Sequence, residues 1–147
     1  MAKVRLSERT RRAVIARAGN RCEYCRSTDR YTPDLFPIDH IQPQARGGGS
    51  PLANLAYACA ACNGRKYTAV TARDPVTGER VPLYHPRQHR WDEHFAWSEE
   101  GYLLIGRTPI GRATIARLDL NRPRLVLLRQ LLQRIGEHPP PEAPSAS

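Results

Sequence analysis

The four cysteines of this chain form two close pairs, Cys22-x-x-Cys25 and Cys59-x-x-Cys62. Two such pairs are the ligand pattern of a tetrahedral zinc site, which fixes where two distant stretches of chain meet. Residues 26–58 separate the pairs, whereas the usual separation is about 15–20 residues. We therefore predict a structural zinc that pins the intervening segment. Two disulfides or a redox-active pair are the alternative, although no thioredoxin-like βαβ pattern surrounds the second pair.

Charge is the second constraint, because the 147 residues include 23 basic and 14 acidic side chains, a formal net charge of +9. All basic residues except Lys3 and Lys66 are arginine. The excess lies on two flanks: residues 1–31 have a net charge of +6 and residues 107–138 of +5, whereas residues 72–106 have −2. This distribution favours binding to the phosphates of a nucleic acid, although an arginine-rich solvated surface is the alternative.

Length and hydropathy limit the class of protein. The length is typical of one domain, and 40% hydrophobic residues suffice for a modest core. No apolar stretch approaches the roughly 18 residues that span a membrane. No apolar run follows the charges of residues 1–5, which argues against a cleaved secretory signal. We expect a soluble cytoplasmic protein.

The apolar pattern predicts an α+β fold. A helix capped by Ser7 should run to about Ala18, ahead of the first cysteine pair. Two short strands at residues 38–41 and 52–57, followed by a helix over residues 59–72, should form a β–loop–β–α unit held by zinc.

The rest of the chain predicts a smaller α/β extension. A connector at residues 73–90 precedes a hairpin of residues 95–97 and 102–105 and then a helix capped by Asn121. The apolar stripe of that helix should consist of Leu125, Leu128, Leu131, Leu132 and Ile135. We thus divide the chain into a core with an N-terminal helix (1–72), a hairpin-plus-helix extension packed on it (73–138) and a disordered tail (139–147).

Four polar residues within or beside the cysteine-bounded segment could perform chemistry: Asp39, His40, Asn54 and Asn63. Adjacent strand residues point to opposite faces. On a regular strand, one of Asp39 and His40 would therefore face a metal and the other would face a groove. A local irregularity of the strand could instead bring the two side chains together. Carboxylate and amide oxygens suit Mg²⁺. A nearby imidazole can take a proton from water at neutral pH. A base, a metal and surrounding positive charge are what phosphodiester hydrolysis needs.

The order of these motifs resembles that of the HNH endonucleases, which have the ββα-metal fold. The four-cysteine form with Asp-His and a final Asn is similar to that of the phage Holliday-junction resolvases in this family. The resemblance covers about a third of the chain and rests on Cys22-Glu23-Tyr24-Cys25, Ile38-Asp39-His40-Ile41, Asn54-Leu55 and Cys59-x-x-Cys62-Asn63-x-x-Lys66.

The resemblance implies a DNA endonuclease with structural Zn²⁺ on the four cysteines and a separate catalytic ion, Mg²⁺ or Mn²⁺. It implies that His40 is the general base and that Asp39 and Asn63 hold the catalytic ion. Asn54 would hold the loop that orients His40.

Position and charge make Arg46, Arg65 and Lys66 candidate contacts for the phosphates of DNA. RNA is an alternative substrate. A zinc module that binds nucleic acid without cutting it is the alternative function. Such a module needs the cysteines and the basic flanks, but not a carboxylate, an imidazole and an amide together.

A second polar cluster follows at residues 85–94. His85 and His89 have i,i+4 spacing and could hold a metal, but Pro86 interrupts a helix there, which favours packing roles. Trp91, Phe95 and Trp97 should lie in the core of this part, although stacking of one of them on a nucleic-acid base is an alternative. This region is similar to extensions of small bacterial HNH proteins, a similarity that implies no particular function.

Overall fold

The computed structural model of the protein describes residues 5–141. They divide into two compact units, with the boundary between Thr68 and Ala69. Both units combine helices with small antiparallel sheets, which confirms the predicted α+β class. Among the described helices, none is long and apolar enough to cross a membrane. Residues 142–147 of the predicted tail lie outside the described residues, and the predicted packing of the extension on the core stays a prediction.

Within residues 5–68, the first unit contains two helices and one pair of strands in the predicted order. Its elements are α1 (Glu8–Ala18), β1 (Ile38–His40), β2 (Leu55–Tyr57) and α2 (Ala60–Lys66), with single 3₁₀ turns at Gln44–Arg46 and Leu52–Asn54. β1 pairs with β2 in antiparallel register, so that Asp39 lies opposite Ala56. The second helix is shorter than expected. It ends because Tyr67 adopts φ 51° and ψ −119°, which lies outside the helical region.

Helix α1 begins and ends at residues suited to those positions. Ser7 Oγ accepts a hydrogen bond from Thr10 N at 3.1 Å, which confirms the predicted cap. Gly19 ends the helix with φ 63°, a left-handed conformation that glycine adopts without a steric penalty. The helix packs on β2 and buries Val14 and Ala18. This packing fixes α1 directly before the first cysteine pair.

The described part of the second unit, residues 69–141, contains three helices and two strand pairs. Its elements are β3 (Thr71–Arg73), β4 (Arg80–Pro82), α3 (Trp91–His94), β5 (Phe95–Trp97), β6 (Leu104–Gly106), α4 (Pro109–Leu118) and α5 (Pro123–Arg134). β3 pairs with β4 and β5 with β6, each pair antiparallel. The β5–β6 pair matches the predicted hairpin, whereas the β3–β4 pair lies where a connector was expected.

Helix α4 was not predicted, although its sequence carries helix-starting signals. Thr108 Oγ1 accepts from Gly111 N at 3.0 Å, and Pro109 occupies the first turn. Gly111 lies so close to the backbone that a Cβ there would be 2.0 Å from the carbonyl oxygen of His94. The helix contacts β3, β4, β6 and α3 and therefore joins the two strand pairs of the second unit.

Asn121 does not cap the last helix, as the sequence had suggested. Helix α5 follows Arg122, which makes no side-chain cap. The Asn121 side chain bonds instead to β6: Oδ1 accepts from Leu104 N at 2.7 Å and Nδ2 donates to Leu104 O at 2.8 Å. The edge strand β6 offers an unpaired backbone N–H and an unpaired C=O at one residue, so both ends of the Asn121 amide are satisfied there. A helix N-terminus offers only N–H donors.

The predicted apolar stripe of α5 is only partly the buried face. Leu125 and Leu132 are buried, but Leu131 and Ile135 are 50% and 60% exposed. Arg129 takes the central buried position and is 2% exposed. The prediction was wrong at these positions because it assigned the buried face by hydrophobicity alone. The charged side chain of Arg129 is buried there instead, because it has hydrogen-bond acceptors inside the unit.

Arg129 is stabilised by oxygen acceptors and an aromatic ring. Its Nη2 donates to Leu120 O at 2.7 Å, and its Nη1 donates to Tyr102 O and Asn121 Oδ1, each at 3.1 Å. Its guanidinium carbon lies 5.1 Å from the centroid of the Trp97 ring. Carbonyl oxygens and a π face replace the carboxylate that a buried arginine usually needs.

We predict that Arg129→Met lowers the free energy of unfolding by about 3 kcal/mol, because buried carbonyl oxygens lose their donors. Urea denaturation measures this change. Arg124→Met is the matched control, since Arg124 is exposed on the same helix and its replacement should change stability by less than about 0.5 kcal/mol. Equal effects of the two substitutions would contradict the structural role of Arg129.

Candidate metal centre and active-site cavity

The four cysteines converge in the first unit. Their Sγ atoms all lie within 4.8 Å of one another, and none forms a disulfide. The Sγ atoms of Cys25 and Cys59 are 3.9 Å apart. Zinc–sulfur bonds of about 2.3 Å in a tetrahedron place sulfur atoms roughly 3.8 Å apart. The cluster therefore has the size that a zinc ion requires.

Each cysteine pair forms a tight turn that directs backbone donors at sulfur. Cys25 N donates to Cys22 Sγ at 3.5 Å, and Cys62 N donates to Cys59 Sγ at 3.4 Å. The first turn closes with Arg26 at φ 67°. Hydrogen bonds of this kind stabilise negative charge on sulfur, which a metal-bound thiolate carries.

The electrostatics of the cluster also fit a cation. Burial raises the pKa of the Cys22 thiol well above its ordinary value. Hydrogen bonds from the other three cysteines lower the pKa of Cys25 well below its ordinary value. Without a metal, only some of the four buried thiols therefore carry a negative charge. A bound divalent cation would let all four ionise.

We predict that the purified protein holds about one zinc ion per chain and unfolds at a lower temperature after chelation, because metal binding adds to folding free energy. Metal analysis and a thermal melt before and after chelator measure this. Adding zinc back should restore the melting temperature, and Cys62→Ser should abolish that recovery. A melting temperature insensitive to chelator and zinc would contradict the structural site.

A cavity of about 390 Å³ lies next to this cluster in the same unit. Asp39, His40 and Asn63, the three candidate catalytic residues, all line it. Asp39 and His40 lie at the end of β1, and Asn63 lies on α2. Both Asp39 and His40 therefore border the same cavity although they are adjacent in the strand. Tyr67 and Arg11 also line the cavity, although the motifs did not point to them.

Asp39 lies on the inner side of β1 and is 3% exposed. Its Oδ2 accepts from the Tyr24 hydroxyl at 2.7 Å, and its Oδ1 accepts from Lys66 Nζ at 3.2 Å. Burial raises the pKa of the Asp39 carboxyl, while the Lys66 ammonium opposes that shift. Lys66 Nζ also lies 3.2 Å from Oδ2. Since each carboxylate oxygen has two lone pairs, Oδ1 keeps one for another ligand.

Lys66 is buried, and this placement speaks against the phosphate contact expected from its charge. It is 1% exposed, and its Nζ also donates to Ile41 O at 3.0 Å and to His40 O at 3.3 Å. All three ammonium protons thus have partners within the unit. The residue joins the end of α2 to β1 and sets the position of the Asp39 carboxylate.

His40 follows on the opposite side of the strand and is half-buried. Its Nε2 lies 2.9 Å from Ser50 Oγ, a hydrogen-bonding distance. Ser50 belongs to the loop between β1 and β2 and was not identified from the sequence. A lone serine beside a glycine run gives no signal of this contact.

Asn54 fastens the same loop. Its Nδ2 donates to Gly49 O at 2.7 Å and to Gln42 O at 3.1 Å, while its Oδ1 accepts from Gln42 N at 2.8 Å. Gly48 is required at the crossing point, because a Cβ there would lie 1.8 Å from Gln42 O. Asn54 therefore shapes the loop, and Ser50 of that loop makes the contact with His40.

The remaining candidates lie at the surface. Asn63 is the fourth residue of α2 and half-buried, and within residues 5–141 its side-chain amide has no hydrogen-bond partner. Arg65 is exposed on the same helix. Arg46 is exposed too, and its Nε donates to Thr68 O at 2.6 Å. Asn63 can thus serve a ligand in the cavity, and the two arginines can reach a nucleic acid outside it.

The histidines of the second unit do not form a metal site in this structure. His85 Nδ1 accepts from the backbone amides of Arg87 and Gln88, each at 3.2 Å, and His89 Nδ1 accepts from His85 N at 2.9 Å. Over the described part of the chain, the cysteines form the one group of three or more side chains able to hold a metal. The packing role is therefore the one observed.

We predict different effects for substitutions at Lys66 and at its neighbour Arg65. Lys66→Met should lower the free energy of unfolding by about 3–5 kcal/mol, because it leaves the buried Asp39 carboxylate without its cation. Arg65→Met should change stability by less than about 0.5 kcal/mol, because Arg65 is exposed. Chemical denaturation compares the two, and equal effects would contradict the buried pair.

The comparison with protein families agrees with this geometry. The HNH endonuclease model matches residues 22–68, which include both cysteine pairs and about a third of the chain. No curated protein and no solved structure matches the chain significantly. The family match confirms the resemblance seen in the sequence: residues 22–68 match the HNH endonuclease domain, which indicates a nuclease-type function.

Proposed function

We propose that this chain is a metal-dependent endonuclease that hydrolyses phosphodiester bonds of DNA. The observation that supports this most strongly is one cavity lined by a carboxylate, an imidazole and an amide, from Asp39, His40 and Asn63. These residues belong to the segment that matches the HNH endonucleases. A zinc module that only binds nucleic acid has no need for this combination.

In this proposal His40 is the general base. When Nε2 donates to Ser50 Oγ, Nδ1 is the basic nitrogen of the ring and can take a proton from an attacking water. The Ser50 contact holds the orientation of the ring. Asn54 contributes indirectly, because it holds the loop that carries Ser50.

Asp39 and Asn63 fit a divalent cation such as Mg²⁺ or Mn²⁺, since both offer hard oxygen ligands to the same cavity. When bound, such a cation supplies Lewis-acid stabilisation to the phosphate and to the leaving oxygen. Tyr24 and Lys66 hold the Asp39 carboxylate in place through hydrogen bonds to its two oxygens. They are positioning residues for that ligand.

Substrate binding depends on positive charge around the cavity. Arg46 and Arg65 lie at the surface of the first unit and can contact the DNA backbone. Attack of water with loss of the 3′ oxygen leaves 5′-phosphate and 3′-hydroxyl ends. One such site cuts one strand at a time.

We predict that His40→Ala lowers the rate of plasmid nicking in Mg²⁺ by about 100-fold or more, because the general base is lost. Gel analysis of supercoiled and nicked plasmid measures the rate, with labelled RNA tested in parallel. The variant should keep its zinc and its melting temperature.

Nicking by His40→Ala at the wild-type rate would overturn the catalytic assignment. A wild-type protein that binds DNA but cuts neither plasmid nor RNA, with Mg²⁺ or Mn²⁺, would favour the zinc module that only binds. Cleavage of RNA alone would change the assigned substrate.

A further inference from the structure

We propose that Arg11 of helix α1 binds a nonbridging oxygen of the phosphate that is being cut. The inference rests on the function proposed above and adds a substrate-binding residue to it. Arg11 lies outside residues 22–68, the segment matched by the HNH model. The helix that precedes the zinc site would therefore be part of the active site.

The first argument is the face of the helix on which Arg11 lies. Val14 and Ala18 are the buried residues of α1, and Arg11 precedes them by three and seven positions. This spacing puts all three on the same side of a helix. Arg12, the next residue, is exposed, whereas Arg11 is half-buried and lines the cavity.

The second argument is that Arg11 has no internal partner. Among residues 5–141, its guanidinium makes no hydrogen bond or ion pair. Arg17 of the same helix differs, because it donates to Leu52 O at 3.0 Å and to Leu55 O at 2.6 Å. Arg17 thus holds α1 on the unit, and Arg11 keeps its donors for a ligand.

The third argument is the charge of the cavity. Asp39 already has Lys66 as its cation, so that carboxylate does not need Arg11 as a partner. Among residues 5–141, the Arg11 guanidinium therefore lines the cavity without a carboxylate that pairs with it. A guanidinium can give two parallel hydrogen bonds to a phosphate, and it is most useful where negative charge increases in the transition state.

The experiment compares Arg11→Ala with Arg12→Ala, which removes the same charge from the same helix but from its exposed side. Arg11→Ala should lower the rate of plasmid nicking by about 100-fold, as loss of one donor to a developing oxyanion does. Arg12→Ala should lower it by no more than about threefold. Arg11→Lys, which keeps the charge but loses the two-pronged geometry, should lie between them.

Chemical rescue separates binding of the phosphate from a structural role. Ethylguanidinium added to the reaction should restore part of the activity of Arg11→Ala and none of the activity of His40→Ala. Melting temperatures of the variants show whether they fold, and Arg11→Gln replaces Arg11→Ala if that variant does not.

The inference is overturned if wild type nicks DNA and Arg11→Ala nicks it as well as Arg12→Ala does. It is also overturned if the folded variant, Arg11→Ala or Arg11→Gln in its place, loses activity and ethylguanidinium restores none of it. A wild-type protein without any nuclease activity would instead contradict the proposed function, so the two failures are distinguishable.

Discussion

The convergence of four cysteine sulfurs is the constraint on which the first unit depends. Its sheet has only two strands of three residues each, and a sheet of that size is not stable by itself. The cysteines join the turn after α1 to the start of α2. Buried sulfurs this close together favour a shared cation, and binding that cation adds folding free energy. The cysteine cluster thus helps to hold α2, which carries part of the cavity wall.

Helix α2 links the metal centre to the candidate active site through its periodicity. Cys59, Cys62 and Lys66 are spaced i, i+3 and i+7, so they lie on one side, towards the interior. Asn63 follows about 100° further round the helix and faces the cavity. One short helix therefore holds two sulfur ligands, the cation that neutralises Asp39 and an amide for a ligand. A shift of α2 would disturb all of these at once.

Local signals predicted the first unit well, because its key residues act through spacing along the chain. The cysteine pairs and the Ser7 cap are of this kind. The role of Lys66 depends on a carboxylate 27 positions away, and no local pattern contains that information. The same limit explains Asn121, whose partner is a strand rather than the helix that it precedes. A lysine or an arginine is therefore predicted to be exposed only where no hydrogen-bond acceptor from a distant part of the chain binds its side chain.

The net charge of +9 consequently overstates the surface available to phosphate. Arg17 holds α1 to the loop before β2 and to β2 itself, and Arg129 binds carbonyl oxygens in the second unit. Arg112 Nε and Nη2 donate to the two oxygens of Asp74 at 3.0 and 2.8 Å and thereby tie α4 to the β3–β4 hairpin. These arginines act as internal donors, which suits a small protein with few buried apolar side chains to spare. Recognition of a phosphate then depends on arginines that keep donors for it. Arg11, whose guanidinium has no internal partner within residues 5–141, meets that condition beside the candidate catalytic residues.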